Sequence, residues 1–195
     1  MEPFLNTYVK MFFLLAPFFG TSIFLKMSEA MTPQARRRAA IGASCSTLAA
    51  ITICFFFGKL LFNMLGITLA AFQIGAGTTL FLTSVMLVLG ISRQPVSSQG
   101  DDFAVVPLSL PIIVGPGTIG TLMVWGTEVS GFREQMTMFA AILCGGLTMA
   151  VFLLLAEQIK KLLGQKTMTV LTKLTALILT ALAAQIVFTG IHNFK

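Results

Sequence analysis

The segment that decides the fold is VPLSLPIIVGPGTIGTL, Val106 to Leu122, and it has a shorter counterpart in APFFGTS, Ala16 to Ser22. Both lie inside long apolar runs, and both put helix breakers where a continuous helix would be expected. Proline removes a backbone hydrogen bond and clashes with the preceding turn, and glycine lowers the cost of unwinding. Pro17 with Gly20, and Pro111 with Gly115, Pro116 and Gly117, therefore predict two kinked or broken helices.

The surroundings of these breaks are hydrocarbon-like. Of the 195 residues 56% are hydrophobic and 10% charged, too few charges to clothe a soluble domain. The net charge of +6 is not that of a nucleic-acid binder, because the charges cluster at the ends of uncharged runs over 11–25, 39–58, 60–92, 103–127, 135–156 and 174–191. About 20 helical residues cross a hydrocarbon core of about 30 Å. Six transmembrane helices are expected, near 5–25, 39–61, 68–91, 103–127, 135–156 and 168–191, with Asn63 and Gly66 turning the chain between the second and third. Glu2 and a lone Lys10 make a poor basic n-region, so the first helix reads as a span and not as a cleaved signal.

The halves of the chain correspond. A shift of 99 residues carries Pro17 onto Pro116 and Gly77 onto Ala176, and nearly the same shift carries Lys59-Leu60-Leu61 onto Lys161-Leu162-Leu163. The polar segment 92–102, with Pro95, Gly100, Asp101 and Asp102, falls at the midpoint. This divides a single transmembrane domain into a first three-helix repeat, 1–91, a cytoplasmic linker, 92–102, and a second repeat, 103–195. With three spans per half the second copy enters from the opposite face, giving an inverted repeat of the kind common in secondary transporters. The fold class is thus an all-α membrane protein whose first and fourth helices are broken.

Lys26, Arg36, Arg37, Arg38, Arg93, Lys160, Lys161 and Lys166 fall on one side of this topology, against Arg133 and Lys195 on the other. The basic side should be cytoplasmic, which puts both termini in the periplasm. Lys10 and Lys59 read as side chains that snorkel to the interface. Cys45, Cys54 and Cys144 read as small buried residues and not as disulfide partners or metal ligands. Gly75, Gly77, Gly145 and Gly146 read as close-packing positions.

Further motifs, TPQARRRAAI (Thr32 to Ile41), AGTTLFL (Ala76 to Leu82), KLLG (Lys161 to Gly164) and LILTALAAQIVFTGI (Leu177 to Ile191), join the GPG segment in a pattern that resembles the MarC family of inner-membrane proteins. The resemblance spans nearly the whole chain. It implies six spans in the bacterial cytoplasmic membrane, kinship with the LysE-type exporters, and for some relatives movement of neutral amino acids such as glycine and alanine. Where the family pattern has Asn or Asp before the first proline, this chain has Ala16, and Ile23 or a neighbour stands where a second proline often follows.

Catalysis has no foothold. His192 is the single histidine, no carboxylates pair in mid-span and no P-loop is present, so neither an enzyme, a metal site nor a cofactor is expected. A proton relay with an acidic residue inside a span is not evident either. The expected partners are the lipid bilayer and a small solute, with no nucleic acid and with homo-oligomer formation left open. The expected activity is secondary transport or export of a small solute such as a neutral amino acid; a lipid or lipid-phosphate carrier and a non-transporting assembly partner are the alternatives. Candidate binding residues are Pro17, Gly20, Thr21 and Ser22 at the first break, Pro111, Gly115, Pro116, Gly117 and Thr118 at the second, and Gln73, Thr78, Thr79 and Gln185 lining the path. Because a broken helix at membrane depth frees backbone groups, bare backbone is expected to meet the ligand. The topology has a direct check: a cysteine introduced at Gln99 should resist impermeant thiol reagents added outside intact cells, and efficient labelling would reverse the orientation.

Overall fold

The computed structural model describes residues 2–91, 114–129 and 131–194, and among these every regular element is an α-helix. The first run forms α1 (Glu2–Leu15) and α2 (Pro17–Met27), separated at Ala16. Next come α3 (Pro33–Leu65) and α4 (Leu69–Leu89), then α5 (Pro116–Glu128), α6 (Phe132–Leu154) and α7 (Ala156–Asn193). Five stretches are long and apolar enough to cross a membrane: Phe4–Met27, Pro33–Gly58, Leu69–Leu89, Phe132–Leu154 and Ala156–Asn193. The expected fourth span, 103–127, is described only from Val114 onward, so 103–113, Pro111 included, lies outside the described residues, as does the linker 92–102.

Local chemistry sets the ends. Thr32 and Thr68 cap α3 and α4 by accepting from the backbone N–H of Ala35 (3.3 Å) and Ala71 (3.2 Å), and Pro33 is preset for the first turn. Gly66 (φ 64°) and Gly90 (φ 74°) close the same helices in the left-handed conformation.

Two boundaries differ from expectation. Arg36 to Arg38 lie in the opening turns of α3, not before it, because the Thr-Pro cap is followed by the strong helix formers Gln, Ala and Arg. Helix α3 therefore has 33 residues, about 50 Å, well beyond a hydrocarbon core of about 30 Å. Likewise 157–167, expected to be a loop, is helical, with one non-helical residue at Gly164 (φ 73°, ψ 159°). Cys45 and Cys144 are exposed and only Cys54 is partly covered; in an apolar solvent a thiol need not be buried in protein to avoid water.

The packing interleaves the two halves. Helix α4 lies along α7 in the most extensive contact, α1 packs on α6, α3 on both α5 and α6, α4 also on α5, and α2 on α7 and α6. Met11, Phe24, Ile51, Phe55, Leu122, Ile142 and Met149 fill the interior. Leu5, Ile53, Phe57, Leu82, Leu147, Val151, Leu174 and Phe188 are exposed on the outside, where lipid accepts them. Tyr8 to Thr148 (3.0 Å) and Thr180 to Ser84 (3.1 Å) are hydrogen bonds between helices.

Glycines allow the closest approaches. A Cβ at Gly58 would sit 2.8 Å from the Met123 backbone, and at Gly190 it would sit 2.9 Å from the Ala70 carbonyl oxygen. Gly126 leaves room for the carbonyl oxygen of Phe55, whereas Gly75 faces open space. Gly126→Ala should therefore lower the stability of the detergent-solubilised protein by about 1–3 kcal/mol through overpacking. Gly75→Ala should be neutral or gain up to about 1 kcal/mol from helix propensity. Thermal unfolding of the two variants beside the parent chain checks the contrast.

Candidate functional site

The first break is sharp. Ala16 adopts φ 44° and ψ 62°, the left-handed region, and among the described residues it is the one non-glycine residue with positive φ. Its N–H still donates to the Phe13 carbonyl (3.0 Å), and its own carbonyl accepts from Gly20 (3.0 Å), so one turn closes before the break and another opens after it. Pro17 needs no hydrogen bond at the start of α2. One turn on, Thr21 is fully buried, and its hydroxyl has no hydrogen-bond partner.

The second break is partly described. Gly115 is extended (φ −70°, ψ 171°), and α5 starts at Pro116, with Ile119 donating to the Gly115 carbonyl at 3.0 Å. No regular helix runs through Gly115. Thr118 is buried, and the Thr121 hydroxyl is spent on the Gly117 carbonyl (2.8 Å). Both described breaks are helix N-termini opened by a proline, with the free N–H groups such ends carry.

Two cavities flank this level of the molecule. One, of about 210 Å³, is lined by Lys10 and Leu14 of α1, Gln73 and Leu80 of α4, Thr121, Trp125 and Glu128 of α5, and Leu182, Gln185 and Thr189 of α7. The other, of about 1080 Å³, is lined by Phe19, Ser22 and Lys26 of α2, Arg36 of α3, Leu87 of α4, and Glu157, Lys160, Lys161, Thr172 and Lys173 of α7. The same three elements, α1 with α2, α4 and α7, thus carry the first cavity at one end and the second at the other. Between them lie Ala16 and Pro17, Ser84 bonded to Thr180, and the buried Ala176 and Leu179.

The expected binding residues separate into groups. Gln73 and Gln185 come together in the smaller cavity, and Ser22 faces the larger one. Pro17, Gly20, Thr21 and Thr118 are buried at the level between, and Gly115 is half-buried there. Thr78 and Thr79 border neither cavity, and their hydroxyls return to the carbonyls of Ile74 (2.7 Å) and Gly75 (2.9 Å). Gly117 faces α4. A Cβ there would lie 2.7 Å from Leu80 Cα, so its role is to seat α5 on α4. Helix α2 packs mainly on α6 and α7 while α5 packs on α3 and α4, so no broad helix contact joins the two breaks.

The smaller cavity holds polar groups that sequence patterning passed over. Gln73 Nε2 donates to Glu128 Oε1 at 2.8 Å, and Lys10 borders the same space. Lys10 resembled a snorkelling lysine, and Glu128 the mere end of a helix. The available signal was that the sole tryptophan, Trp125, lies three residues before Glu128. At the opposite end Arg36 pairs with Glu157 and donates to the Ser28 carbonyl (3.2 Å from Nε, 2.8 Å from Nη2), tying the start of α3 to α7.

A multi-helix integral membrane protein with a proline-broken first helix and a polar cavity at either end is the class these features define. Residues 1–194 match the model of the MarC family integral membrane proteins, and the chain belongs to that family. It is 31% identical to a UPF0056 membrane protein of Methanocaldococcus jannaschii, over 99% of this chain and 98% of the relative. It is 26% identical to a UPF0056 membrane protein of Aquifex aeolicus (97% and 92%) and 27% identical to the UPF0056 membrane protein YhcE of Escherichia coli (95% and 90%). No solved structure matches the chain.

The left-handed backbone at Ala16 carries a cost in stability. Asn and Asp tolerate the left-handed region, whereas alanine is strained there by about 1–2 kcal/mol. Ala16→Gly removes that strain against a loss of chain entropy of about 0.5–1 kcal/mol, so it should raise stability by about 0.5 kcal/mol. Ala16→Val should lower it by more than about 1 kcal/mol, since β-branched residues are poorest at positive φ. Unfolding midpoints in detergent for the three chains give the order.

Proposed function

We propose that the chain is a secondary transporter of the cytoplasmic membrane that moves a small solute, foremost a neutral amino acid, by alternating access. The observation that carries this reading is the pair of cavities at opposite ends of α1–α2, α4 and α7, with the break at Ala16 and Pro17 at the closed level between them. A hinge at that level can widen one cavity as it narrows the other. The free N–H groups of α2 and α5 would then meet the solute in transit.

The inverted repeat draws support from the packing. Exchanging α1–α2 with the fourth helix, α3 with α6 and α4 with α7 turns the α1–α6 contact into α5–α3 and the α4–α5 contact into one of α7 with α1–α2, and all of these occur. The pairs α4–α7 and α3–α6 map onto themselves, as they must beside a pseudo-two-fold axis. Lys26, Arg36, Lys160, Lys161 and Lys173 gather around the larger cavity, which supports a cytoplasmic opening there and a periplasmic opening beside Lys10, with both termini periplasmic.

A second reading has one observation in its favour: the basic lining of the larger cavity also suits a lipid phosphate. Proteoliposomes separate the two. Labelled glycine and alanine should accumulate saturably under a proton or sodium gradient. Absence of flux for both under either gradient, by correctly inserted protein, would overturn the transport reading, and movement of fluorescent anionic phospholipid instead would favour the carrier.

A further inference from the structure

We propose that the smaller cavity is a zwitterion site, in which Lys10 takes a carboxylate while Glu128, steadied by Gln73, takes an ammonium group. Lys10 and Glu128 border the same cavity from α1 and α5 but form no ion pair with each other. Two opposite charges bordering one cavity without forming an ion pair leave room for a ligand carrying the complementary pair. A monoanion placed there would be repelled by Glu128, and a monocation by Lys10. A molecule with both charges meets neither penalty.

Gln73 makes an independent case. Its side chain is 2% exposed, its Nε2 donates to Glu128 Oε1 at 2.8 Å, and its Oε1 has no partner. The reverse amide orientation would turn the carbonyl toward the carboxylate, so the acceptor is the group left over. A buried amide oxygen without a donor is uncommon, and an ammonium group has three N–H bonds to offer. Trp125 supplies an apolar surface for a side chain, and about 210 Å³ limits that side chain to a small one.

Such a site, which rests on the transport reading above, would be where a solute docks before or after passing the break. Calorimetric binding to the full chain in lipid nanodiscs tests it with alanine, with alaninamide as the cation lacking a carboxylate, and with propionate as the anion lacking an amine. The parent should bind alanine at least tenfold more tightly than either analogue. Lys10→Met and Glu128→Gln should each weaken alanine binding tenfold or more. Lys10→Met should also tighten alaninamide, and Glu128→Gln should tighten propionate, because each removes a repulsion.

A merely structural role would weaken all three ligands alike, and that outcome overturns the site. So would unchanged alanine binding by both variants, or no binding of alanine, glycine or serine by the parent. Charge-dependent binding without flux in proteoliposomes would leave the site standing and remove the transport reading. Flux with unaltered KM in Lys10→Met and Glu128→Gln would do the reverse.

Discussion

Helices immersed in hydrocarbon gain nothing from hiding apolar side chains from one another, since lipid tails solvate leucine as well as a neighbouring helix does. What remains is dispersion at short range, and this fold obtains it by letting backbones touch. Gly58 and Gly126 admit α5 to α3, Gly117 seats α5 against Leu80 of α4, and Gly77 and Gly190 bring α4 and α7 together over their longest contact. Two neighbours, α3 and α4, hold α5 through these glycines. The cavity beside Lys10 depends on that anchoring, because Thr121, Trp125 and Glu128 all project from α5.

The break between α1 and α2 follows from a different economy. A continuous helix satisfies its own backbone, so interrupting it at depth is tolerated only inside protein or against a polar space. Ala16 and Pro17 are buried, and the chain keeps a hydrogen bond on each side of the interruption. The discontinuity is thus confined to one residue, and that residue bears the strain. Thr21, one turn later, keeps an unpaired hydroxyl in the same neighbourhood, so a buried polar group without a partner lies one turn from the break.

Much of the architecture could be read from the chain because hydrocarbon imposes a coarse grammar: run length gives spans and proline gives breaks. The reading failed where several elements converge. Gln73 was recognisable as a polar residue in a span, but its bond to Glu128, 55 residues away, was not. Thr78 and Thr79 looked equivalent to Gln73, yet a threonine can satisfy its hydroxyl on its own helix, and glutamine rarely does. Gly117 sits in the most distinctive motif and was read as bare backbone for a ligand; only the position of Leu80 reveals that a helix occupies that space. The extension of α3 to 33 residues was hidden because arginines interrupt hydropathy without interrupting a helix.

That extension places Arg36 in the opening turn of α3, where one guanidinium holds the Ser28 carbonyl and the Glu157 carboxylate together. The three segments it joins are the end of α2, the start of α3 and the start of α7. Parting α3 from α7 at that end breaks the ion pair, and Glu157 is half exposed to water. The clasp is therefore weakened by dissolved salt, while the glycine contacts deeper in the bundle are indifferent to it. Ionic strength at that end thus bears on how firmly the three segments are held together beside the larger cavity.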